Sequence, residues 1–467
     1  MKHNKTNIPT WDELSAIPVP EWYRDSKLGI YMHWGVYSVP AFSTGRASSD
    51  KYSMAMYTSL PTEKRFAGIH EHHLAQYGDP HKFGYKDFVP LWKAERWDPD
   101  YWVDLFLESG AQFVGINAEH HDSFPLWRSN YSEWNAARMG PKRDIVSELE
   151  KCIRLHGLRL LISLHNVRNW RWYEHVYGYR PPFDIEDKQY AKIGGIYPPP
   201  HHLGENISNE YIEFWRNKVR EIIDRFCPDY LWFDSCLNEL PDEVRRWLLG
   251  YYYSAALIKD REVVVNNKRG LQFPQGIGVY NLEGHELKFD VIQGKPWDTD
   301  AQILRSQWSY TATEPVKSFP ELLEYLINVI SMGGNLILNI SPRADGTIPE
   351  EQQDRLRRLG RWLAIFGEAV YETRPWKTHR LGESVQFTQS KDGCTIYGFH
   401  KGRFPQRLEL SMLPASQNMK VDLLENKRPL HWSIGENGGM IIEFFNDTEG
   451  SIKTSEDTPI QVFRITL

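Results

Sequence analysis

The chain reads as an α/β protein: a (β/α)8-like barrel followed by a C-terminal antiparallel β-sandwich. Three observations predict this. Strand-like and helix-like segments alternate from Leu28 to Phe366, the signature of strands joined by helical crossovers. One apolar strand after another runs directly into a polar or charged residue. After Arg374-Pro375 the texture changes to short alternating runs separated by Gly, Pro, Asn and Asp, as in a sandwich. The expected division is a barrel domain over 1–372 and a sandwich over 373–467.

Residues 1–26 are polar and form a lead-in. Leu28–His33 is the first expected strand, followed by Trp34-Gly35 and a long irregular stretch over roughly 36–95. Asp98–Gly110 has a helix start in Asp98-Pro99 and an apolar face in Trp102, Val103, Leu105 and Phe106. Ala111–Asn117 is the second strand and leads into Glu119-His120-His121-Asp122. Arg143–His156 is helical, with Ile145, Val146, Leu149, Cys152 and Ile153 on one stripe and Gly157 past its end. Leu158–Leu164 is the third strand, ending at His165-Asn166, and Asn209–Phe226 is a helix with Ile212, Trp215, Val219, Ile222 and Phe226 in register. The stretch PDYLWFDS (228–235) places a strand, Tyr230–Phe233, directly before Asp234. Asp242–Leu257 is helical. Glu262–Val265 is a strand leading to Asn266-Asn267-Lys268, and Phe289–Gln293 is a further strand candidate. Phe319–Met332 is helical and Asn335–Ile340 a strand. Thr347-Ile-Pro-Glu350 has capping-box spacing, with Pro at the first position of a helix that runs to about Phe366. Beyond Arg374 the expected strands lie at Val385–Phe387, Thr395–Phe399, Arg407–Ser411, Met440–Phe444 and Gln461–Ile465.

Composition narrows the function. The net charge of −6 and the lack of a long basic run give nucleic acid no electrostatic footing. Cys152, Cys227, Cys236 and Cys394 show no CxxC spacing, which argues against a disulfide framework or a zinc site. No run of 18 apolar residues occurs, and the N-terminal residues lack the apolar centre of a signal peptide. The expectation is a cytoplasmic protein with no membrane span. Aromatic residues make up 13% of the chain, including 18 Trp; packing accounts for much of this, and sugar clefts also use such platforms.

Parallel strands end on one face of a barrel, so His33, His120-His121, His165, Asp234 and Asn266–Lys268 are expected at one mouth. Taken alone, Asp234 would serve equally as a helix cap or surface ion pair, and a lone His as a satisfied core residue. Together they admit two chemistries. His120, His121 and His165 could meet a divalent ion, although adjacent residues on a strand face opposite ways and no HxH or HExxH spacing is present. Alternatively, imidazoles and carboxylates hold sugar hydroxyls while two carboxyls cleave a glycosidic bond, which in the retaining case requires them about 5–5.5 Å apart.

Several stretches resemble glycoside hydrolase family 29, the α-L-fucosidases, over nearly the whole length. They are KLGIYMHWGVYSVPAF (27–42), SSDKYSMAMY (48–57), FVGINAEHHDSFPLWRSNYSEWNA (113–136), KRDIVSELEKCIRLHGL (142–158), PDYLWFDS, PWDTD (296–300), GGNLILNISPRADGTIPEEQ (333–352) and WL..FGEAVYETRPW (362–376). The resemblance implies a retaining exo-glycosidase acting on terminal α-L-fucosides through a covalent fucosyl-enzyme, without metal or organic cofactor. It implies Asp234 as nucleophile and Glu283 as acid/base, with Glu286 the second choice. His33, His120 and His121 would hold the sugar hydroxyls. Trp34, Asp50, His165, Lys268 and Trp297 complete the expected substrate-binding set. The chain departs from the family pattern at Asp50-Lys51, where Glu-Trp is usual, and at Lys268, where Arg is usual. It also has His165 in place of a Tyr-containing run, and Asp298 in PWDT for PWET. These departures bear on substrate preference and leave open a related sugar or a fucose-binding homologue without catalysis. A homo-oligomer is a further expectation.

Overall fold

The computed structural model describes residues 8–45, 48–58, 66–284, 295–444 and 459–467. Eight parallel strands close into a barrel: β1 (Leu28–Met32), β2 (Phe113–Glu119), β3 (Arg159–Leu164), β4 (Tyr230–Phe233), β5 (Val264–Lys268), β6 (Val279–Glu283), β7 (Trp297–Gln302) and β8 (Asn335–Ile340). Each pairs with the next, and β8 pairs with β1 to complete the ring.

Helices form where apolar periodicity and a cap coincide. Asn209–Phe226 starts at Ser208, whose hydroxyl accepts from the Tyr211 amide, and buries the stripe Ile212, Trp215, Val219, Ile222 and Phe226. It stops at Cys227, which turns left-handed at φ 39°. Pro99–Glu108 is capped by Asp98, Ile145–Leu155 by Asp144, and Phe319–Ser331 by a Ser318/Glu321 capping box. The capping box expected at Thr347 does not form. The helix is Glu350–Phe366, Pro349 caps it without a side-chain bond, and the Thr347 hydroxyl donates instead to Asp345.

The barrel has two apolar layers. Inside the ring lie Tyr31, Phe113, Leu161, Tyr230, Trp232, Val264, Val279 and Ile337. Outside, the helices cover the strands' other face. Side chains alternate across a strand, so every second residue from an inner one also points inward. That parity builds the mouth: Tyr31 leads to His33, Leu161 to Ser163 and His165, Trp232 to Asp234, Val264 to Asn266 and Lys268, and Val279 to Asn281 and Glu283.

Strands β5 to β7 depart from the sequence expectation. The fifth strand is shifted from Glu262–Val265 to Val264–Lys268, and β6 and β7 appear where no strand was expected. The cause is polar lining. Asn266 accepts from the Phe233 amide at 2.7 Å and donates to the Phe233 carbonyl at 2.8 Å, so a side chain ties β4 to β5 where their backbones part. In β7, Asp298 accepts from the Tyr23 and Tyr230 hydroxyls at 2.6 and 2.5 Å and from Asn281 at 2.7 Å. Apolar-run criteria pass over such strands. The strand candidate Phe289–Gln293 lies outside the described residues.

Beyond Arg374 the chain forms two antiparallel sheets. One has five strands, in the order Lys420–Leu423, Ile460–Thr466, Thr395–Lys401, Val385–Gln389, Arg374–Leu381. The other has three: Arg407–Pro414, Gly439–Glu443 and His431–Ile434. Val385, Phe387, Leu410, Met440, Ile442, Phe463 and Ile465 fill the space between them. The opposite face of the five-stranded sheet lays Tyr397, Phe399, Ile460 and Val462 into the outer core of the barrel. Among the described residues no helix is long and apolar enough to cross a membrane.

Candidate active site

Asp234 follows β4, its amide donating to the Leu164 carbonyl of β3. Its carboxylate receives Lys268 Nζ at 2.5 Å on Oδ1. On Oδ2 it receives the Ser235 hydroxyl at 3.1 Å, with His121 Nε2 at 3.4 Å and His165 Nδ1 at 3.9 Å. Burial alone would raise the pKa of Asp234. The Lys268 charge, then the His165 and His121 rings, outweigh it and hold the carboxyl well below the usual range. Lys268 ends β5 and also reaches Glu283 Oε1 at 3.0 Å. It lies over the Trp232 ring at 4.7 Å. Although burial disfavours its charge, the anions around it raise its pKa, Asp234 foremost. One ammonium on β5 therefore bridges two carboxyls from the strands on either side of it, β4 and β6. Glu283 is the last residue of β6 rather than a loop residue, and Arg269 approaches it at 3.8 Å. Glu286 lies outside the described residues.

The histidines form one wall. His33 Nδ1 lies 2.7 Å from the Asn339 side-chain oxygen. That oxygen can only accept, so Nδ1 carries the proton and Nε2 is left as an acceptor. The Asn339 amide in turn donates to the Trp308 carbonyl at 2.6 Å, which fixes its orientation. The His33 ring centroid lies 5.4 Å from those of both His120 and His165. Burial pushes His33 down to about 4 and holds His120 and His165 well below the usual histidine value. The rings are neutral at pH 7, able both to donate and to accept. His120 Nε2 lies 3.5 Å from Asp50, itself buried. His121 Nδ1 lies 3.1 Å from the His165 carbonyl while Nε2 faces Asp234. A neutral ring has one proton for these two acceptors, which leaves His121 poised between them.

The mouth therefore gathers His33, Asp50, His120, His121, His165, Asp234, Lys268 and Glu283. Two residues expected there are elsewhere. Trp34 is fully buried, packs against Trp92, Trp97 and Trp102 with centroids 5.0–5.1 Å away, and donates to the Arg343 carbonyl. It is one residue past His33 and so has the outward parity. Trp297 begins β7, at the far end of the barrel from the mouth, and donates to the Met332 carbonyl. Other aromatic residues border the mouth instead: Trp308 beside His33 at 5.3 Å, Trp172 beside His121 at 4.4 Å and Trp232 beside His165 at 5.5 Å. Trp232 was legible, standing two residues before Asp234 on the same strand face. Trp172 and Trp308 sit on loops and carry no such signal.

Ligand atoms of His33, His120 and His165, and of His121, His165 and Asp234, lie within 4.8 Å of one another, spacings a metal ion could use. In the second set the Lys268 ammonium already supplies the positive charge at Asp234.

A closed parallel barrel whose mouth holds two cation-bridged carboxyls among neutral imidazoles has the architecture of a glycoside hydrolase. The α-L-fucosidase family model matches residues 1–368, and the chain belongs to that family. It is 30% identical to the plasma alpha-L-fucosidase of Pongo abelii over 464 residues, which cover 94% of this chain and 90% of that one. Its structure superposes on the Thermotoga maritima alpha-fucosidase in complex with a mechanism-based inhibitor with a TM-score of 0.79 at 27% identity, covering 98% and 99% of the two chains. The same enzyme in complex with fucose gives 0.78 at 26%, with the same coverage.

Proposed function

We propose that this α-L-fucosidase is a retaining exo-glycosidase in which Asp234 is the nucleophile and Glu283 the acid/base. The carrying observation is the pair of carboxyls on β4 and β6 joined through Lys268. In the first step Asp234 Oδ attacks the anomeric carbon and forms an ester. The C–O bond to the leaving group breaks as Glu283 gives its proton to the departing oxygen. In the second step Glu283 takes a proton from water, whose oxygen attacks the same carbon and releases Asp234 as carboxylate. Lys268 keeps Asp234 ionised. His33, His120, His121 and His165 hold the sugar hydroxyls as neutral donors and acceptors, and Asp50 orients His120. The four histidine rings form one cluster, with neighbouring centroids 4.4–5.4 Å apart, which suits adjacent hydroxyls of one sugar ring, and the family supports fucose as that sugar. We further propose that residues 1–372 carry the reaction, and that four free cysteines suit a reducing, cytoplasmic setting.

The test is Asp234→Gly. Its kcat on a nitrophenyl α-L-fucoside should fall by roughly 10³-fold or more and recover partly with azide, which fits the vacated space as a small anion. A near-normal rate would remove Asp234 from the mechanism. A panel of other nitrophenyl glycosides separates a related-sugar hydrolase, which cleaves one of them instead, from a binding homologue, which cleaves none.

A further inference from the structure

A second cavity, of about 390 Å³, opens beside the nucleophile, between the loops that follow β1, β3 and β4. Ser235 and Cys236, the two residues after Asp234, form part of its wall, and the Ser235 hydroxyl donates to Asp234 at 3.1 Å, so the cavity lies beside the reacting centre. Trp172, which stacks beside His121 on one side, supplies a second part of that wall. The cavity thus lies where a substrate would continue beyond the sugar ring attached at Asp234.

Its charges are unevenly committed. Arg171 is neutralised twice, by Glu239 and by Glu174, the latter at 2.8 Å. Glu174 is also engaged by His201 at 3.2 Å. Those groups form a closed network. Lys51 and Arg168 line the same cavity, and among the described residues neither makes a salt bridge. The Arg168 guanidinium lies over the Trp172 ring at 5.7 Å, facing into the space beside the nucleophile. The Cys236 thiol, pushed by burial up to about 12, adds no charge. In a chain of net charge −6, the lining carries three cations against two carboxylates, one positive charge in excess.

We propose that this cavity receives the leaving group, and that it selects leaving groups bearing a carboxylate or sulfate-type anion. The ammonium of Lys51 and guanidinium of Arg168 hold the anion, the latter set in place over the buried Trp172 ring. This rests on the reading of Asp234 as nucleophile.

The test uses three aryl α-L-fucosides whose phenols carry a meta hydroxyethyl, carboxymethyl or sulfomethyl group, the methylene keeping the phenol acidities close. At low salt both anionic substrates should show kcat/KM roughly tenfold above the neutral one, about what two partly enclosed ion pairs supply. The advantage should shrink as salt screens it. In the Lys51→Ala, Arg168→Ala double variant the anionic substrates should lose roughly tenfold more than the neutral one, and Lys51→Arg should retain the preference. If only one anion is favoured, that identifies which source the cavity accepts. Calorimetric binding of the free phenols to the wild-type protein reads the cavity independently of turnover, and the single variant Lys51→Ala serves if the double variant does not fold. Equal or lower kcat/KM for the anionic substrates, or a preference undiminished in the variants, overturns the proposal while leaving fucoside hydrolysis intact. Failure to cleave even the neutral fucoside refutes the catalytic reading, and equal binding of neutral and anionic phenols then refutes this one as well.

Discussion

At the scale of single residues, Lys268 has the most concentrated task. Its ammonium sits 2.5 Å from Asp234 and 3.0 Å from Glu283, and it is almost fully enclosed. Replacing it with Met leaves two carboxyls facing each other in a poorly solvated space and should lower kcat/KM by roughly 10²-fold, about 3 kcal/mol of transition-state stabilisation. The acid limb of the pH–rate profile should move upward, because Asp234 then loses the main force lowering its pKa. An unmoved limb would show that Lys268 does not control Asp234. During the proposed reaction the ester at Asp234 removes one of the two anions Lys268 serves. The ammonium is then left to Glu283 alone, at the step that asks this residue for a base. Asp300 gives a second test at this scale. It accepts from Tyr31 and Asn281 inside the barrel, and burial pushes its carboxyl from 3.8 up to about 7. Between those values the folded state binds more protons than the unfolded one. Its contribution therefore stabilises at acid pH and is lost as pH rises through about 7. Asp300→Asn abolishes that titration, so the Tm of the variant relative to wild type should rise between pH 5 and pH 8. A difference that does not change with pH would contradict the raised pKa.

At the scale of elements, strand parity decides what reaches the mouth. Asp234 was legible because Tyr230–Phe233 is wholly apolar and ends abruptly in an acid. The helices were legible because their apolar residues recur on one stripe, as Ile212, Trp215, Val219, Ile222 and Phe226 do, and because Asp98-Pro99 marks one start. Only the start of β5 was legible, and β6 and β7 were not, since the inward positions of these strands are Asn266, Lys268, Asn281, Glu283, Asp298 and Asp300, whose partners come within reach only after the ring has closed. Parity also explains the two misplaced tryptophans: an odd step from His33 turns Trp34 outward, and Trp297 stands outward at the wrong end of its strand. The pairing of β2 with β3 is equally exacting. Gly115 lies opposite Leu161, and a Cβ there would collide with the Leu161 carbonyl. Gly115→Ala should cost about 3 kcal/mol by overpacking, read as a lowered Tm. An unchanged Tm would mean the two strands can separate without penalty.

At the scale of the whole molecule, the five-stranded sheet faces two ways. Val385, Phe387 and Ile465 belong to the sandwich interior, while Tyr397, Phe399, Ile460 and Val462 belong to the outer core of the barrel. Trp362 of a barrel helix donates to the Ile460 carbonyl at 3.1 Å, and Lys401 reaches Glu324 at 2.7 Å. Barrel and sandwich should therefore melt in a single calorimetric transition, and two resolved transitions would show that the shared layer does not couple them. The sequence announced the sandwich by its change of texture, but not this sharing, which depends on which face of each strand meets the barrel. The strand Ile460–Thr466 is not at an edge; it lies between Lys420–Leu423 and Thr395–Lys401. A growing polypeptide on the ribosome thus carries all eight barrel strands long before it carries the side chains that cover their helices. Until Val462 has emerged, the nascent barrel has an uncovered apolar flank, and its maturation waits on a strand made well after β8.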